Sequence, residues 1–161
     1  MPRSKSTAGL SGITVMKDLK HLVFLTQTDT TIGFVSQSAE RLTQIKKRPP
    51  HKYYIKAVNS LKTLKTFTRI PSSHKNRVRR ARKSTFIMPD GHSYRVIRDT
   101  HHLLLLNRLQ WAYTTSANLS GQPYDEIFAK EAADVIVTPL KIKKKPSIIY
   151  KLGKHTLQRI R

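Results

Sequence analysis

A strand that ends in a run of small polar residues constrains the fold of this chain most. Trp111 to Thr115 has the composition of a β-strand, and Ser116 to Gly121 follows it with hydroxyls, an amide and a glycine. Such a loop exposes polar groups at one edge of a sheet, where they can hold a phosphate. Ser116 and Asn118 are two residues apart, so in an extended backbone both side chains project to one side. The alternative interpretation is an ordinary Asn/Ser/Gly turn.

A second strand with the same kind of ending lies near the N-terminus. His21 to Thr26 is an apolar run of strand length, and Gln27 to Gly33 follows it with hydroxyls and a glycine. Ser36 or Ser38 is then placed to cap a helix that runs to about Lys47 and ends before two prolines. The sequence therefore predicts two strands whose polar ends face ligand.

The rest of the chain alternates between short strands and short helices. The predicted strands are 53–58, 84–88, 93–97, 135–138, 147–150 and 156–160. The predicted helices are 61–67, 72–83, 103–109 and 125–133. The leucines of 103–109, Leu104 among them, are expected to face the core, and Ile127 and Phe128 of the last helix are expected to point inward. Pro89 to His92 is the strongest hairpin signal. This pattern predicts an α/β (α+β) fold, with short helices on a mixed sheet, in a single domain over residues 1–161 in which 1–14 form a loose arm or an early strand.

The charge of the chain indicates a polyanionic partner. Lys and Arg number 31 against 9 Asp and Glu, which gives a formal net charge of +22. Such a balance attracts nucleic acid, nucleotides or acidic membrane surfaces. The alternative is a general lysine bias in the proteins of the source organism.

Several classes of protein are excluded or disfavoured by composition. The chain has no cysteine, which excludes disulfides, thiolate metal sites and cysteine nucleophiles. No apolar run approaches the roughly 20 residues that span a bilayer, so we expect a soluble, cytoplasmic protein without a membrane partner. We expect no metal site at His101 and His102, because adjacent side chains point apart. No glycine-rich nucleotide fingerprint is present, so side chains must supply much of any grip on phosphate.

Two cationic segments are candidates for binding anions. Lys46 and Arg48 combine an ammonium with a guanidinium in a dense basic turn, a pair that suits a polyphosphate. The alternative is a solvated surface. A basic helix supplies candidate RNA contacts at Lys75, Arg79 and Arg82.

Three motifs in this order closely resemble those of the YrdC-type threonylcarbamoyl-AMP synthases, in their minimal single-domain form. They are Thr28-Asp29-Thr30-x-x-Gly33, Lys46-x-Arg48-Pro49 and Thr115-Ser116-Ala117-Asn118-x-Ser120-Gly121. The last motif is the most specific, and the resemblance runs from about Leu22 to the C-terminus. It implies a YrdC/RibB-like twisted mixed sheet with short helices around a basic cavity.

The resemblance also implies a reaction and a set of site residues. In that family ATP, L-threonine and bicarbonate give threonylcarbamoyl-AMP and pyrophosphate, and a partner tRNA threonylcarbamoyl-transferase machinery modifies the adenosine beside the anticodon. The residues that match the family's ATP site, which position the reactants without any nucleophile, are Lys46, Arg48, Ser116 and Asn118, with Ser147 and Arg159 beside them. The residues that match the threonine site are Thr28, Thr30, Thr85, Arg98 and Thr115.

The chemistry of adenylation agrees with that set. Negative charge grows on the α-phosphate while pyrophosphate leaves, so fixed cations and hydroxyl donors are the expected apparatus, with Mg²⁺ carried mainly by the phosphates of the substrate ATP. The alternative from another class is a non-catalytic RNA- or nucleotide-binding module of the same fold. A third possibility is a carbamoyl-transfer domain, since the fold also occurs inside larger hydrogenase-maturation proteins.

Overall fold

One continuous sheet forms the framework of the protein. The computed structural model describes residues 19–140 and 145–161, so the predicted arm over residues 1–14 lies outside the described residues. Within the described residues nine strands pair in the order β7-β1-β2-β6-β3-β5-β4-β8-β9. Their bounds are β1 Phe24–Gln27, β2 Ile32–Ser36, β3 Ile55–Val58, β4 Ser84–Ile87, β5 Ser93–Val96, β6 Trp111–Ser116, β7 Val135–Ile136, β8 Ile148–Leu152 and β9 Leu157–Arg159.

The pairing of the strands is mixed. Parallel pairs join β1 to β7, β3 to β5 and β4 to β8. The other neighbouring pairs are antiparallel. The predicted mixed sheet with short helices is therefore confirmed.

Most helices begin at a polar residue that caps the first turn. The helices are α1 Ala39–Lys46, α2 Leu61–Phe67, α3 Lys75–Arg80, α4 Thr100–Leu109 and α5 Glu126–Ala132, with 3-10 turns at Leu19–His21 and Ser72–His74. Ser38, Ser60, Asp99 and Asp125 each accept a hydrogen bond from a backbone N–H of the turn that follows. These side chains satisfy N–H groups that have no partner within the helix, which is why the helices begin there.

The helices cover both faces of the sheet. On one face Leu105 and Leu106 of α4 pack against Val35 and Ala57. On the other face the packing of α1, α2, α3 and α5 is centred on buried apolar residues, which are Leu42, Leu64, Val78 and Ala129. Within the described residues the sheet is thus the middle layer.

The register of β2 brings two polar strand ends together. Gly33 pairs with Ser116 across β2 and β6, so the turn before β2 lies beside the loop after β6. A Cβ atom at Gly33 would stand 2.8 Å from the Thr115 carbonyl oxygen and 3.0 Å from Thr28 Cγ2. Glycine is required here because the Thr115 carbonyl belongs to the backbone and cannot move aside cheaply.

Local predictions hold in most places, and three fail in detail. The hairpin around Pro89 to His92 is confirmed as β4 and β5. The predicted helix 72–83 is instead a 3-10 turn followed by the shorter α3. Ile127 is 70% exposed, so the prediction that it points inward is wrong, and Phe128 alone of the pair packs against Phe34. Leu104 of α4 is likewise 71% exposed and faces away from the core.

Candidate functional site

A small polar cavity lies where the ends of β1 and β6 meet the segment before β8. Its volume is about 280 Å³, just below the usual range for ligand pockets. Seven of its eleven lining residues are threonine or serine, and two are arginine. The lining residues are Thr28, Thr30, Thr31, Ile55, Arg95, Thr114, Thr115, Ser116, Pro146, Ser147 and Arg161. The cavity therefore offers hydroxyls and positive charge to a ligand of about the size of an amino acid.

The turn between β1 and β2 is held by its own first hydroxyl. Thr28 Oγ1 accepts hydrogen bonds from the backbone N–H groups of Thr30 and Thr31, at 3.2 Å each, and donates to the Thr31 carbonyl at 2.6 Å. The Thr30 hydroxyl contacts Thr28 Oγ1 at 3.3 Å. The Thr28 hydroxyl is thus engaged in hydrogen bonds that fix the turn, and Thr30 is the better placed of the two to contact a ligand.

A buried ion pair forms one wall of the cavity. Arg95 Nη2 lies 3.2 Å from Asp29 Oδ1, and both side chains are about 95% buried. Burial raises the pKa of Asp29, although the Arg95 charge opposes that shift. His102 Nδ1 lies 3.9 Å from the same oxygen, and burial followed by the Arg95 charge lowers the pKa of His102 to about 3. The imidazole beside the Asp29–Arg95 ion pair is therefore neutral near neutral pH.

A second arginine completes the cavity from the C-terminus. Arg161 Nε donates to the Ser147 carbonyl at 3.1 Å and Nη2 donates to Ser147 Oγ at 3.4 Å. Thr85, which is fully buried, contacts Ser147 Oγ at 2.9 Å. The charge of Arg161 contributes, after burial, to a lowered pKa of Arg95. Two guanidinium groups that repel across one cavity are an electrostatic site for an anion, because a bound anion relieves the repulsion.

The loop after β6 is fastened to the end of α1 by a buried ammonium. Lys46 Nζ donates to the Ser116 carbonyl at 2.7 Å, the Asn118 carbonyl at 2.7 Å and Asn118 Oδ1 at 3.1 Å. Ser120 N–H donates in turn to the Lys46 carbonyl at 3.0 Å. Burial, and then the Arg48 charge, lowers the pKa of Lys46 to about 8, so the ammonium stays charged near neutral pH. All three of its protons are engaged by the loop that it fixes.

Arg48 lies beside this clamp and not in the cavity. Its Nη2 donates to the Tyr53 carbonyl at 2.8 Å, and its guanidinium carbon is 4.5 Å from the centre of the Tyr54 ring. The Ser116 hydroxyl donates to Asn118 Oδ1 in a short hydrogen bond. The Asn118 amide donates to the Gln122 carbonyl at 2.6 Å. The loop is thus preorganised by its own contacts.

Two Mycoplasma proteins are similar to this chain in sequence. No protein-family model matches the chain. The chain is 31% identical over 157 residues to the uncharacterized protein MG259 of Mycoplasma genitalium and 29% identical over 150 residues to its Mycoplasma pneumoniae homologue. These alignments cover 86% and 83% of this chain but only 32% and 31% of the relatives, so the chain spans about a third of the length of the curated relatives it matches.

Solved structures give the fold. Sua5 of P. abyssi complexed with L-threonine superposes with a TM-score of 0.79 at 17% identity, over 92% of this chain and 52% of Sua5. YciO of E. coli gives 0.71 at 18% identity over 92% and 86% of the two chains. The chain has the YrdC-like fold. Full-length HypF in its phosphate- and nucleotide-bound form gives 0.70 at 17% identity, over 92% of this chain and 28% of HypF.

The YrdC-like fold brings together part of the predicted site. Five predicted residues line the cavity, which are Thr28, Thr30, Thr115, Ser116 and Ser147. Lys46 and Asn118 adjoin it through the Ser116 loop, and Thr85 adjoins it through Ser147.

Like Arg48, two further predicted arginines lie outside the cavity of the YrdC-like fold. Arg98 was expected in the cavity, but it is exposed and donates to the Ala81 carbonyl at 2.9 Å. Arg159 is exposed on β9 and donates from Nε to the Arg161 carbonyl at 3.4 Å. Arg95 and Arg161 occupy the cavity in their place. The candidate RNA residues Lys75, Arg79 and Arg82 are all exposed and do not line the cavity.

Sequence reasoning missed Arg95, Arg161 and Asp29. A signal for Arg95 was available: in the strand predicted at 93–97, Arg95 shares a face with Ile97, so a charge stands at a core-facing position. A buried arginine requires an acid, and Asp29 is the acid within the polar strand end. Arg161 lies beyond the last strand, where no periodicity fixes its direction.

The described residues contain neither a metal-binding cluster nor a membrane-spanning helix. No group of three or more His, Asp or Glu residues there is arranged to hold a metal ion. Over the same ranges, no helix combines the length and apolar character needed to cross a bilayer.

Proposed function

We infer that the cavity binds L-threonine and that the chain is an L-threonylcarbamoyladenylate synthase, a nucleotidyltransferase that acts in tRNA modification. The observation that carries this proposal is the joining of several hydroxyls to two arginines in one cavity of about 280 Å³. Support comes from Sua5, which has the same fold and was solved with L-threonine, and from HypF, solved with phosphate and nucleotide.

The arginines would hold the negative groups of the amino acid. Arg95 pairs with Asp29 at 3.2 Å and Arg161 donates to the Ser147 carbonyl, and these contacts hold both guanidinium groups at the cavity wall. A fixed guanidinium pairs well with a carboxylate, or with the carbamate that bicarbonate and an amino group form. The Thr30 hydroxyl would contact the polar groups of the substrate.

The Ser116–Asn118 loop would hold the phosphates of ATP. Lys46 fixes this loop, and Ser116 lines the same cavity as Thr30. Mg²⁺ would be carried by the phosphates and would neutralise charge as pyrophosphate leaves. No protein nucleophile is needed, because the chain's task is to align bound reactants and stabilise the charge that develops. The product would pass to a tRNA threonylcarbamoyl-transferase machinery.

The test is release of pyrophosphate from ATP with magnesium and bicarbonate. We expect release with L-threonine, less with L-serine, and almost none with L-valine or without amino acid, because valine leaves a hydrogen-bonding site unpaired. Thr30→Val is expected to reduce kcat/KM for threonine about 5- to 150-fold, which corresponds to about 1–3 kcal/mol. Thr66→Val, whose hydroxyl bonds only locally to the Thr63 carbonyl at 2.7 Å, is the matched control.

Binding of ATP is tested separately by calorimetric titration. Arg48→Ala and Ser116→Ala are each expected to weaken the binding of ATP, since a charge-assisted contact to a phosphate is worth about 1.5–3 kcal/mol. Lys47→Gln, an exposed neighbour of Arg48, is the control and should bind as the wild type does. Wild-type affinity in both test variants, with the fold intact, would remove Arg48 and Ser116 from the site.

One observation favours the alternative of a non-catalytic RNA- or nucleotide-binding module. The three protons of the Lys46 ammonium are engaged by protein acceptors, so this conformation offers none of them to a phosphate. Pyrophosphate release that ignores threonine, or that is absent at saturating substrates while ATP still binds, would support the module and reject the synthase.

A further inference from the structure

The sheet carries a second concave region on the face opposite the cavity. Ile55, Thr114 and Arg95 line the cavity from β3, β6 and β5. Because side chains alternate between the two faces of a sheet, the residue directly before or after each of these three on its strand points to the opposite face. These neighbours are Lys56, Tyr113 and Tyr94, which pair with one another across the strands and line a depression of about 490 Å³. This aromatic depression, larger than the cavity, takes no part in the proposed reaction.

Aromatic rings dominate the aromatic depression, and one of them is open to solvent. Tyr53 is 74% exposed at its mouth and packs edge-on against the His92 ring, with ring centroids 5.1 Å apart. Tyr54 and Phe67 also line it. An exposed tyrosine braced against a second ring presents a flat surface to which another ring can stack at little cost in entropy.

The floor of the aromatic depression already contains a cation. Lys56 Nζ lies 4.1 Å from the centre of the Phe67 ring and 4.7 Å from that of Trp111. A cationic ligand is disfavoured by this charge, whereas a neutral ring with an attached anion is favoured. The one acid of the lining, Asp90, is occupied by the Thr68 and Tyr94 hydroxyls at 2.8 and 3.1 Å.

A cationic groove adjoins the aromatic depression. The groove has a volume of about 540 Å³ and shares Phe67 with the depression. It presents Lys65, Arg69 and Lys75, all exposed, together with hydroxyls of threonine and serine. Within residues 19–140 and 145–161 none of these three cations takes part in an ion pair. Clustered cations without acidic partners are the surface that binds successive phosphates.

We propose that this face binds single-stranded nucleic acid, with a base on Tyr53 in the aromatic depression and the adjoining phosphates along Lys65, Arg69 and Lys75. Aromatic platforms beside a cationic groove are the combination by which proteins hold single strands, since every base has a face to stack and every linkage has a charge. Duplexes keep their bases stacked and out of reach. This site is separate from the cavity and does not depend on the proposed synthase activity.

The stacking part is tested by fluorescence anisotropy with the full chain and a labelled eight-nucleotide oligouridylate. Tyr53→Ala is expected to weaken binding at least about fivefold, the lower end of what one stacked base contributes. Tyr53→Phe keeps the ring and is expected to restore wild-type affinity. Tyr124→Ala removes an exposed tyrosine that lines neither region and is expected to change nothing. An oligothymidylate arm shows whether ribose is required.

The phosphate part is tested by the salt dependence of the same titration. Arg69→Gln with Lys75→Gln removes two phosphate contacts, so the slope of log affinity against log salt should shrink by about 1.4, at about 0.7 for each contact on a single strand. Lys20→Gln with Arg108→Gln removes the same charges from exposed positions outside the groove and should shrink the slope less.

Four results would overturn the proposal. They are wild-type affinity in Tyr53→Ala, equal affinity for a duplex of the same length, equal slopes in the two charge variants, and complete competition by uridine monophosphate at the concentration of the oligonucleotide. The last would indicate a mononucleotide pocket. If the first result is found together with weaker binding in Arg161→Gln, the strand lies over the cavity on the other face.

Discussion

Replacing His102 with leucine is expected to make the protein more resistant to acid. His102 is fully buried on α4, facing Asp29 and Arg95, with Asp99 and His101 on its own element. Within the described residues neither ring nitrogen of His102 has a hydrogen-bond partner, so leucine leaves no donor or acceptor stranded. Burial, then the Arg95 charge, lowers the pKa of His102 to about 3.

The sign and size of the effect follow from that shift. A histidine whose pKa falls from 6.5 in the unfolded chain to about 3 in the fold binds its proton only after unfolding. The native state is therefore favoured above pH 6.5 and loses stability as the pH falls through the window from 6.5 to 3, at about 1.4 kcal/mol per pH unit. Between pH 7.5 and 5.0 this amounts to about 2 kcal/mol. The raised pKa of Asp29 acts in the opposite direction in both proteins.

The measurement is the free energy of unfolding from urea titrations at pH 7.5, 6.0 and 5.0. The wild type should lose about 2 kcal/mol more than His102→Leu between the extreme pH values. His155→Leu, at an exposed position, is the control and should follow the wild type. Parallel pH profiles for the wild type and His102→Leu would refute the reasoning, because the imidazole would then titrate equally in both states.

Three further substitutions test how the cavity is built. Gly33→Ala is expected to destabilise by about 1–3 kcal/mol in thermal or urea unfolding, because its Cβ meets the Thr115 carbonyl at 2.8 Å; stability within about 0.5 kcal/mol of the wild type would show that β2 and β6 can part there. Lys46→Met is expected to lower the free energy of unfolding by about 2–3 kcal/mol, because the Ser116 and Asn118 carbonyls lose their donor. Protease cleavage of the 116–121 loop should also become faster, and an unchanged cleavage rate would contradict the role of Lys46 in holding the loop. Asp134→Ala is expected to lower the free energy of unfolding by about 1–2 kcal/mol, since this carboxylate accepts hydrogen bonds from Arg41 and, at 2.8 Å, from the Val23 backbone N–H. Unchanged stability would show that solvent screens the Arg41–Asp134 pair so strongly that it contributes little.

Local chemistry made much of the fold predictable. Ser38 and Asp99 cap helices because their side chains bond to N–H groups three residues away, a relation visible in the sequence. The hairpin around Pro89 to His92 follows from the same short range. The wrong inward assignment of Ile127 shows the limit, because a helix of seven residues leaves the direction of its apolar side open until a neighbour is present.

The residues of the candidate site likewise fall into those that the sequence indicated and those that it did not. Strand ends rich in hydroxyls marked Thr30 and Ser116 as neighbours of a ligand, and the paired register of β2 and β6 brings them into one cavity. The alternation of the strand signalled that Arg95 is buried, but the sequence did not predict that Arg95 and Arg161 enter this cavity. Alternation places neighbouring residues of a strand on opposite faces of the sheet, but it does not determine which face lines the cavity.

The sequence by itself determined the strand and helix pattern, the capping residues, the polar strand ends and the excess of positive charge. Each of these depends on interactions within a few residues. Only the tertiary structure decided that Arg95 and Arg161, and not Arg98 and Arg159, line the cavity, and that Lys46 fastens the loop after β6. The parallel pairing of β3 with β5 directs Arg95 toward Asp29, 66 positions away in the chain. Such contacts depend on how distant strands pair, because a charge can be buried only where the fold supplies its partner.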